Sequence, residues 1–294
     1  MSQRNYKPHY EHLKNKWQDR HKALQQEILT KHGEAFEWLT HHLRNFSVGA
    51  VGALLLILQQ PTIAASTPPV SVQQNEAGID LDKDIFLVTD LSHILPKDVR
   101  VFSSEEEERI TQVLSNRFGF RVVSEFNGKR LNRSYGLIGA EQHLARYPGD
   151  DITTHFASVE EASAFWGSGM APGLGAWRYF SPSQNEMTQK DSDREKYYIA
   201  VQTFLAPGFH DNPKDYSDFF RFRKMLVVNP QNGKALIAAI GDAGPAEWTG
   251  KQLGGSPEVM EYLQRVDGKQ IGPVLYFFID DPSDTIPLGP VHVQ

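Results

Sequence analysis

The alternation of apolar and polar residues divides the chain after residue 84 into short predicted elements. The apolar run Ile85–Thr89 predicts a short strand. Ser103 predicts the start of a helix, because a serine cap with Glu106 three residues later satisfies free backbone amides and Gly119 then ends the helix. The apolar stripe of this helix consists of Ile110, Val113, Leu114 and Phe118.

A hairpin is predicted directly after this helix. Residues Phe120–Phe126 alternate like a strand, and Asn127-Gly128 is a strong turn signal between two strands. The returning arm runs from Leu131 to Ile138. Helix and hairpin together predict a small α+β unit over residues 85–165.

Short apolar runs separated by turn residues dominate the C-terminal part of the chain. The predicted strands are Lys196–Val201, Arg223–Val228, Lys234–Ile240 and Pro273–Ile279. A helix is predicted over Ser256–Leu263, because Ser256 suits the cap position and Pro257 the first helical position. About five strands with one or two short helices indicate a small β-barrel, since closure removes exposed strand edges.

The N-terminal part has a different pattern. Residues 1–45 are polar, with eight Lys/Arg against five acids, and an uncharged apolar run, Phe46–Leu58, follows. This run is short for a spanning helix but has the length of a secretory signal core, and small residues follow it. Residues 46–65 are therefore predicted to be an export signal or membrane anchor with residues 1–45 inside, in line with the positive-inside rule. A buried core helix is the alternative.

The Pro-, Ser- and Gln-rich residues 66–84 predict a linker, so the folded body is expected outside the membrane. The chain has 294 residues, a net charge of -6 and no cysteine. An acidic balance argues against a nucleic-acid partner, and the lack of cysteine excludes disulfides, cysteine zinc sites and thiol catalysis. No Walker loop or G-x-S-x-G elbow is present, and the Gly-rich stretch near residues 167–175 does not match a dinucleotide-binding turn.

Several C-terminal segments together resemble the double-psi β-barrel of the rare lipoprotein A and expansin superfamily. The matching segments are the strand and N-x-x-N-G turn Val227–Lys234, the D-x-G-P loop Ile240–Pro245, the helix Ser256–Leu263, the closing strand Gly272–Ile279 and the upstream strand Tyr198–Gly208. The resemblance covers residues 166–280. It implies an α+β protein whose six-stranded double-psi barrel spans residues 166–282, with a tail over residues 283–294.

The resemblance also implies a catalytic acid. In lytic transglycosylases of this kind the D-x-G-P aspartate is catalytic, and it corresponds to Asp242. Glycosidic cleavage needs a carboxyl group that protonates the leaving oxygen. Gln202 lies where peptidoglycan-cleaving members often carry a histidine, and glutamine cannot titrate. Glu247 and His210 are further helper candidates by proximity, and the structural alternative is that Asp242 only caps its turn.

Aromatic side chains near the Gly-rich loops are candidate sugar platforms. Trp177, Tyr179 and Trp248, with Trp166 nearby, offer flat apolar faces that suit pyranose rings, and core packing is the alternative for each. We therefore expect an exported bacterial cell-envelope protein that cleaves the glycan strands of peptidoglycan.

Two other functions stay open. The first is a non-catalytic module that binds peptidoglycan or another cell-wall polysaccharide through the same cleft. The second is a metal-dependent peptidase that uses Glu141 and His143, which lack a third ligand at a diagnostic spacing. The predicted glycan-cleaving site implies no metal and no organic cofactor.

Overall fold

The computed structural model describes residues 76–265 and 272–294. The segments predicted for residues 1–45 and 46–65 therefore lie outside the described residues, as does the first half of the predicted linker. Within the described part, no helix combines the length and the apolar character needed to cross a membrane.

The described residues form an α+β fold, as the sequence predicts. The helices are α1 (Glu76–Ile94), α2 (Ser104–Phe118), α3 (Val159–Phe165), α4 (Gln189–Lys196), α5 (Pro213–Phe220) and α6 (Pro257–Tyr262). The strands are β1 (Val122–Val123), β2 (Glu125–Phe126), β3 (Lys129–Arg130), β4 (Tyr135–Ala140), β5 (Tyr198–Val201), β6 (Lys224–Val228), β7 (Ala235–Ala243), β8 (Leu253–Gly255), β9 (Gly272–Ile279) and β10 (Gly289–Val291).

Six strands close into a mixed β-barrel. Around the barrel, β4 runs parallel to β8, β8 antiparallel to β5, and β5 parallel to β7. Strand β7 then pairs antiparallel with β6, β6 with β9, and β9 with β4, which closes the ring. Strand β1 pairs with the C-terminal end of β9, beyond the residues that pair with β4, and β10 pairs with the N-terminal end of β7, beyond those that pair with β5. Closure satisfies the strand edges, as expected for a small barrel.

Alternating side chains of the barrel strands supply two apolar cores. In β6, Met225 and Val227 belong to a core that also contains residues of α5 and α6. Their neighbours Leu226 and Val228 belong to a second core, which is completed by side chains of α1 and α2. The two-residue period of a strand thus places one set of residues in each core. This explains why the barrel strands are apolar almost throughout.

Several local predictions are confirmed. The Ser103 side chain accepts from the backbone N–H of Glu106, whose carboxylate accepts from the Ser103 N–H at 2.8 Å, so α2 begins with a capping box. Gly119 ends this helix with a φ of 72°. The turn between β2 and β3 has positive φ at Asn127 and Gly128, as predicted for this dipeptide.

Other parts differ from the sequence-based expectation. Ile85–Thr89 lies in α1 and not in a strand, because Leu87 and Leu91 are fully buried at helical spacing while Ile85 is more than half exposed. The barrel also begins earlier than residue 166, because β4 pairs with both β8 and β9. The segment predicted as a C-terminal tail contains β10, which pairs with β7.

Candidate functional site

The end of β7 places Asp242 at the rim of the barrel. A bulge in the β5–β7 pairing lies just before it: Ile199 pairs with Ile240, but Ala200 pairs with Asp242. Gly241 occupies the bulge, and a Cβ atom there would lie 2.6 Å from the Cβ atom of Tyr198. Only glycine therefore allows this close approach. The bulge determines the position from which Asp242 leaves the strand.

Two backbone amides hold one side of the Asp242 carboxyl group. Its Oδ1 atom accepts hydrogen bonds from Ala176 N at 2.6 Å and from Ala243 N at 2.7 Å. Within the described residues, Oδ2 accepts no hydrogen bond. Burial raises the pKa of Asp242, and the two amide hydrogen bonds lower it. Burial has the larger effect, so the pKa lies above the ordinary value of an aspartate. The group is thus a positioned carboxyl with one free oxygen, and it keeps its proton to a higher pH than an exposed aspartate.

Trp177 fastens the Gly-rich loop over the end of β7. Its Nε1–H donates to the Ile240 carbonyl oxygen at 3.0 Å, and the ring is half-buried against the first apolar core. Gly175 comes so close that a Cβ atom there would lie 3.4 Å from Asp242 Oδ1. The structure therefore brings Asp242 and Trp177 together, although 65 residues separate them in the sequence.

Gln202 lies close to the same rim but is turned inward. The side chain is 5% exposed, and its Nε2 donates to the carbonyl oxygens of Pro245 at 3.0 Å and Lys251 at 3.5 Å. Both contacts hold the loop that follows Asp242. The geometry assigns Gln202 to the support of this loop, because its amide hydrogens point at the protein backbone.

The remaining predicted residues lie in three different places. Glu247 and Trp248 share a short 3-10 turn in the loop supported by Gln202, and Trp248 is 88% exposed. The structure describes no hydrogen bond between Glu247 and Asp242. Tyr179 lines a separate cavity of about 640 Å³ together with Trp166. His210 is exposed in the loop before α5.

The pair of Glu141 and His143 does not form. Glu141 instead makes an ion pair with Lys251, with 2.6 Å between Oε1 and Nζ. His143 lies beside His155 and Glu195, and all three side chains are buried. His155 Nε2 lies 3.1 Å from Glu195 Oε2, while His143 Nδ1 lies 3.6 Å from Glu195 Oε1.

Opposite charges dominate the electrostatics of this buried cluster. Burial lowers the pKa of His155, but its hydrogen bonds to Asp150 and Glu195 outweigh that effect and raise it to about 9. Burial raises the pKa of Glu195, and the two histidines bring it down to about 2. Glu258 lines the adjoining cavity, and burial together with the charge of Glu195 raises its pKa to about 8.

His155 and Glu195 are members of this group that the sequence does not predict. His155 follows His143 by 12 residues, and Glu195 follows by a further 40. Neither spacing places the side chains on one face of a single helix or strand, so no local motif marks them. Only the fold, which packs α4 beside the loop after β4, brings them together.

Comparisons of the chain with protein-family models, with curated proteins and with solved structures found no match.

Proposed function

We propose that this chain is a cell-envelope protein that cleaves the glycan strands of peptidoglycan, with Asp242 as the general acid/base. One observation carries the proposal. Asp242 is a half-buried carboxyl group at the barrel rim, with Oδ1 held by two backbone amides and Oδ2 free of hydrogen bonds from the described residues. A general acid needs a positioned group whose protonated form persists near the working pH.

The chemistry follows that of a lytic transglycosylase. The protonated Asp242 carboxyl donates its proton to the glycosidic oxygen as the bond from that oxygen to the sugar C1 breaks. The resulting carboxylate then takes the proton of the 6-hydroxyl of the same sugar, whose oxygen forms a new bond to C1. The product is a 1,6-anhydro sugar, and Asp242 ends the cycle protonated without the consumption of water.

The order of elements supports a double-psi barrel as the finer description of the fold. Strand β6, the turn Asn229–Gly233, β7, the loop through Pro245, α6 and β9 follow one another as the resemblance implies. Asn229 is buried, and its side chain donates to the Leu263 carbonyl oxygen at 2.8 Å and accepts from Arg265. The turn therefore packs against the end of α6.

Trp248 is the aromatic residue best placed to bind a sugar ring. Its ring is almost fully exposed, and its loop follows Asp242 by only a few residues. An exposed indole gains contact area when it stacks on the apolar face of a pyranose. Trp177 borders Asp242 but is anchored to Ile240, so we assign it to the wall of the site.

The proposal places the barrel outside the cytoplasmic membrane, with residues 46–65 as a cleaved signal or an anchor. The uncharged apolar run and the basic excess before it support this location. Fractionation of cells that produce the full chain, followed by protease treatment of intact spheroplasts, tests it. Degradation of the barrel without lysis is expected, and protection of the barrel would contradict export.

Gln202 favours a second candidate, a glycan-binding module without catalytic activity. Its amide hydrogens are directed at Pro245 and Lys251, so the residue that replaces the family's histidine offers Asp242 no titratable partner. Such a module would use Trp248 and the same rim to hold a glycan chain.

Digestion of purified peptidoglycan sacculi separates the two candidates. The full-length protein in mild detergent and its Asp242→Asn variant are each incubated with sacculi, and mass spectrometry identifies soluble muropeptides. Anhydro-ended muropeptides from the wild type, and none from Asp242→Asn, would support the enzyme. Binding of both proteins to sacculi, with no soluble product from either, would support the glycan-binding module.

A further inference from the structure

His143 is a fully buried histidine whose ring nitrogens lack hydrogen bonds. Neither Nδ1 nor Nε2 has a hydrogen-bond partner within the described residues, although the side chain is 0% exposed. Three aromatic rings surround it, those of His155, Phe156 and Phe165. A buried polar atom without a partner costs about 1–3 kcal/mol, so such an atom calls for a physical explanation.

The distance from His143 to Glu195 is too long for a hydrogen bond but suits two ligands of one ion. His143 Nδ1 lies 3.6 Å from Glu195 Oε1. In tetrahedral coordination, bonds of about 2.0–2.1 Å place a nitrogen and an oxygen ligand roughly 3.3–3.4 Å apart. His155 Nε2 lies 3.1 Å from Glu195 Oε2, and one ligand atom from each of the three residues falls within 4.8 Å of the other two.

The surroundings orient His155 as a metal-bound histidine is usually oriented. Its Nδ1 lies 3.1 Å from Oδ2 of Asp150, so Nε2 is directed towards Glu195. Arg146 in turn holds Asp150 through three hydrogen bonds: its backbone N and its Nε each donate to Oδ2 at 2.9 Å, and Nη2 donates to Oδ1 at 3.0 Å. A carboxylate behind a histidine sets its tautomer and strengthens it as a ligand.

We propose that His143, His155 and Glu195 bind one divalent transition-metal ion, and that Zn²⁺ is the ion this donor set fits best. Two imidazoles and one carboxylate are ligands that zinc prefers. A purely ionic chain from Arg146 through Asp150 and His155 to Glu195 would explain two of the three residues. That chain reaches His143 only through the 3.6 Å between Nδ1 and Glu195 Oε1 and gives neither ring nitrogen a hydrogen bond, whereas a metal ion uses one of the two nitrogens.

The set has the composition of an open site. Three protein ligands leave a position for water or a substrate atom on a four-coordinate ion, as in catalytic zinc sites. His155 and Glu195 line a cavity of about 200 Å³, and Arg146, Lys196 and Glu258 line it as well. Arg146 and Lys196 are ion-paired there with Asp150 and Glu161, so the open position on the metal ion is the feature that would bind the carbonyl oxygen of a small ligand. The proposal is independent of glycan cleavage at Asp242.

Zinc binding is tested on the full-length protein after removal of metal by a chelator. Bound Zn²⁺ is titrated by calorimetry and counted by elemental analysis, beside the variants His143→Gln, Glu195→Gln and the control His93→Gln. Six of the eleven histidines precede residue 46 and can bind Zn²⁺ themselves. The test therefore compares the number of Zn²⁺ equivalents between wild type and variants and does not use the total for any one protein. We expect the wild type and His93→Gln to bind one more equivalent than either cluster variant.

Two further measurements test whether the additional equivalent of Zn²⁺ binds at this site. Free Zn²⁺ at 100 times its Kd raises the Tm of the wild type by roughly 5–10 °C and leaves that of His143→Gln unchanged. Asp150→Asn binds Zn²⁺ about 10–100-fold more weakly, because His155 loses its orienting carboxylate. Circular dichroism checks that each variant is folded. If His143→Gln does not fold, the comparison of Glu195→Gln with the wild type serves as the test. Equal zinc content and equal Tm shifts in wild type and folded variants would overturn the proposal.

Discussion

The backbone N–H of Ala176 donates a hydrogen bond of 2.6 Å to Oδ1 of Asp242, although 66 residues separate the two. This contact connects the Gly-rich loop to the end of β7. The carboxyl group therefore depends on two segments for its position, and the loop that covers it also carries Trp177.

Replacement of Gln202 by alanine should destabilise the protein. The change removes the donor to the buried Pro245 carbonyl oxygen and leaves that oxygen without its partner. We expect the free energy of unfolding to fall by about 1–3 kcal/mol in urea denaturation. Gln184→Ala, at an exposed position, is the matched control and should remain within about 0.5 kcal/mol of the wild type. Equal stability of both variants would contradict the supporting role of Gln202.

Replacement of Trp248 should weaken glycan binding without a loss of stability. The ring is 88% exposed, so Trp248→Ala removes little buried area but removes the proposed stacking surface. Co-sedimentation with sacculi should drop about 5- to 10-fold, while Tm stays constant. Trp177→Ala is the contrasting variant: it loses the bond to Ile240 and its core contacts, so its Tm should fall. Unchanged sedimentation of Trp248→Ala would exclude this ring as the platform.

Stability of the metal-free protein should decrease as the pH rises from about 5 to about 8. Burial, followed by the charge of Glu195, raises the pKa of Glu258 to about 8 from an ordinary 4.5. Between these values the folded state binds more protons than the unfolded state, so the free energy of unfolding falls with rising pH, by a few kcal/mol for this group.

Glu258→Gln isolates this contribution because it removes the titration and keeps the shape of the side chain. Its free energy of unfolding, measured in chelator from pH 5 to pH 9, should decline less steeply than that of the wild type. Glu261→Gln, an exposed glutamate on the same helix, should follow the wild-type curve. Parallel curves for wild type and Glu258→Gln would show that Glu258 titrates normally.

Elements determined by a few consecutive residues were predictable from the sequence. Helix α2 is an example, because Ser103, Glu106 and Gly119 define both of its ends locally. Strands β6 and β9 and helix α6 also lie where their patterns predict them. The prediction of a strand over Ile85–Thr89 is wrong, because four apolar residues and a threonine show no period that separates a strand from a buried helix.

Contacts between distant segments were not predictable. Strand β4 pairs in parallel with β8, more than 100 residues later, and no turn joins the two. The bond from Ala176 to Asp242 and the meeting of His155 with Glu195 likewise depend on the closed barrel and its loops. Sequence spacing constrains residues within one element, and these pairs belong to different elements.

The most direct test of the account is the release of muropeptides from sacculi by the full-length protein, beside Asp242→Asn and the exposed control Asp211→Asn. Asparagine keeps the shape of the side chain but cannot donate an acidic proton, so the rate should fall by at least about 100-fold. The wild type and Asp211→Asn are predicted to release anhydro-ended muropeptides, and Asp242→Asn should bind sacculi without cleaving them. Release by Asp242→Asn at the wild-type rate, or no release by any of the three, would contradict the assignment of Asp242 as the catalytic acid.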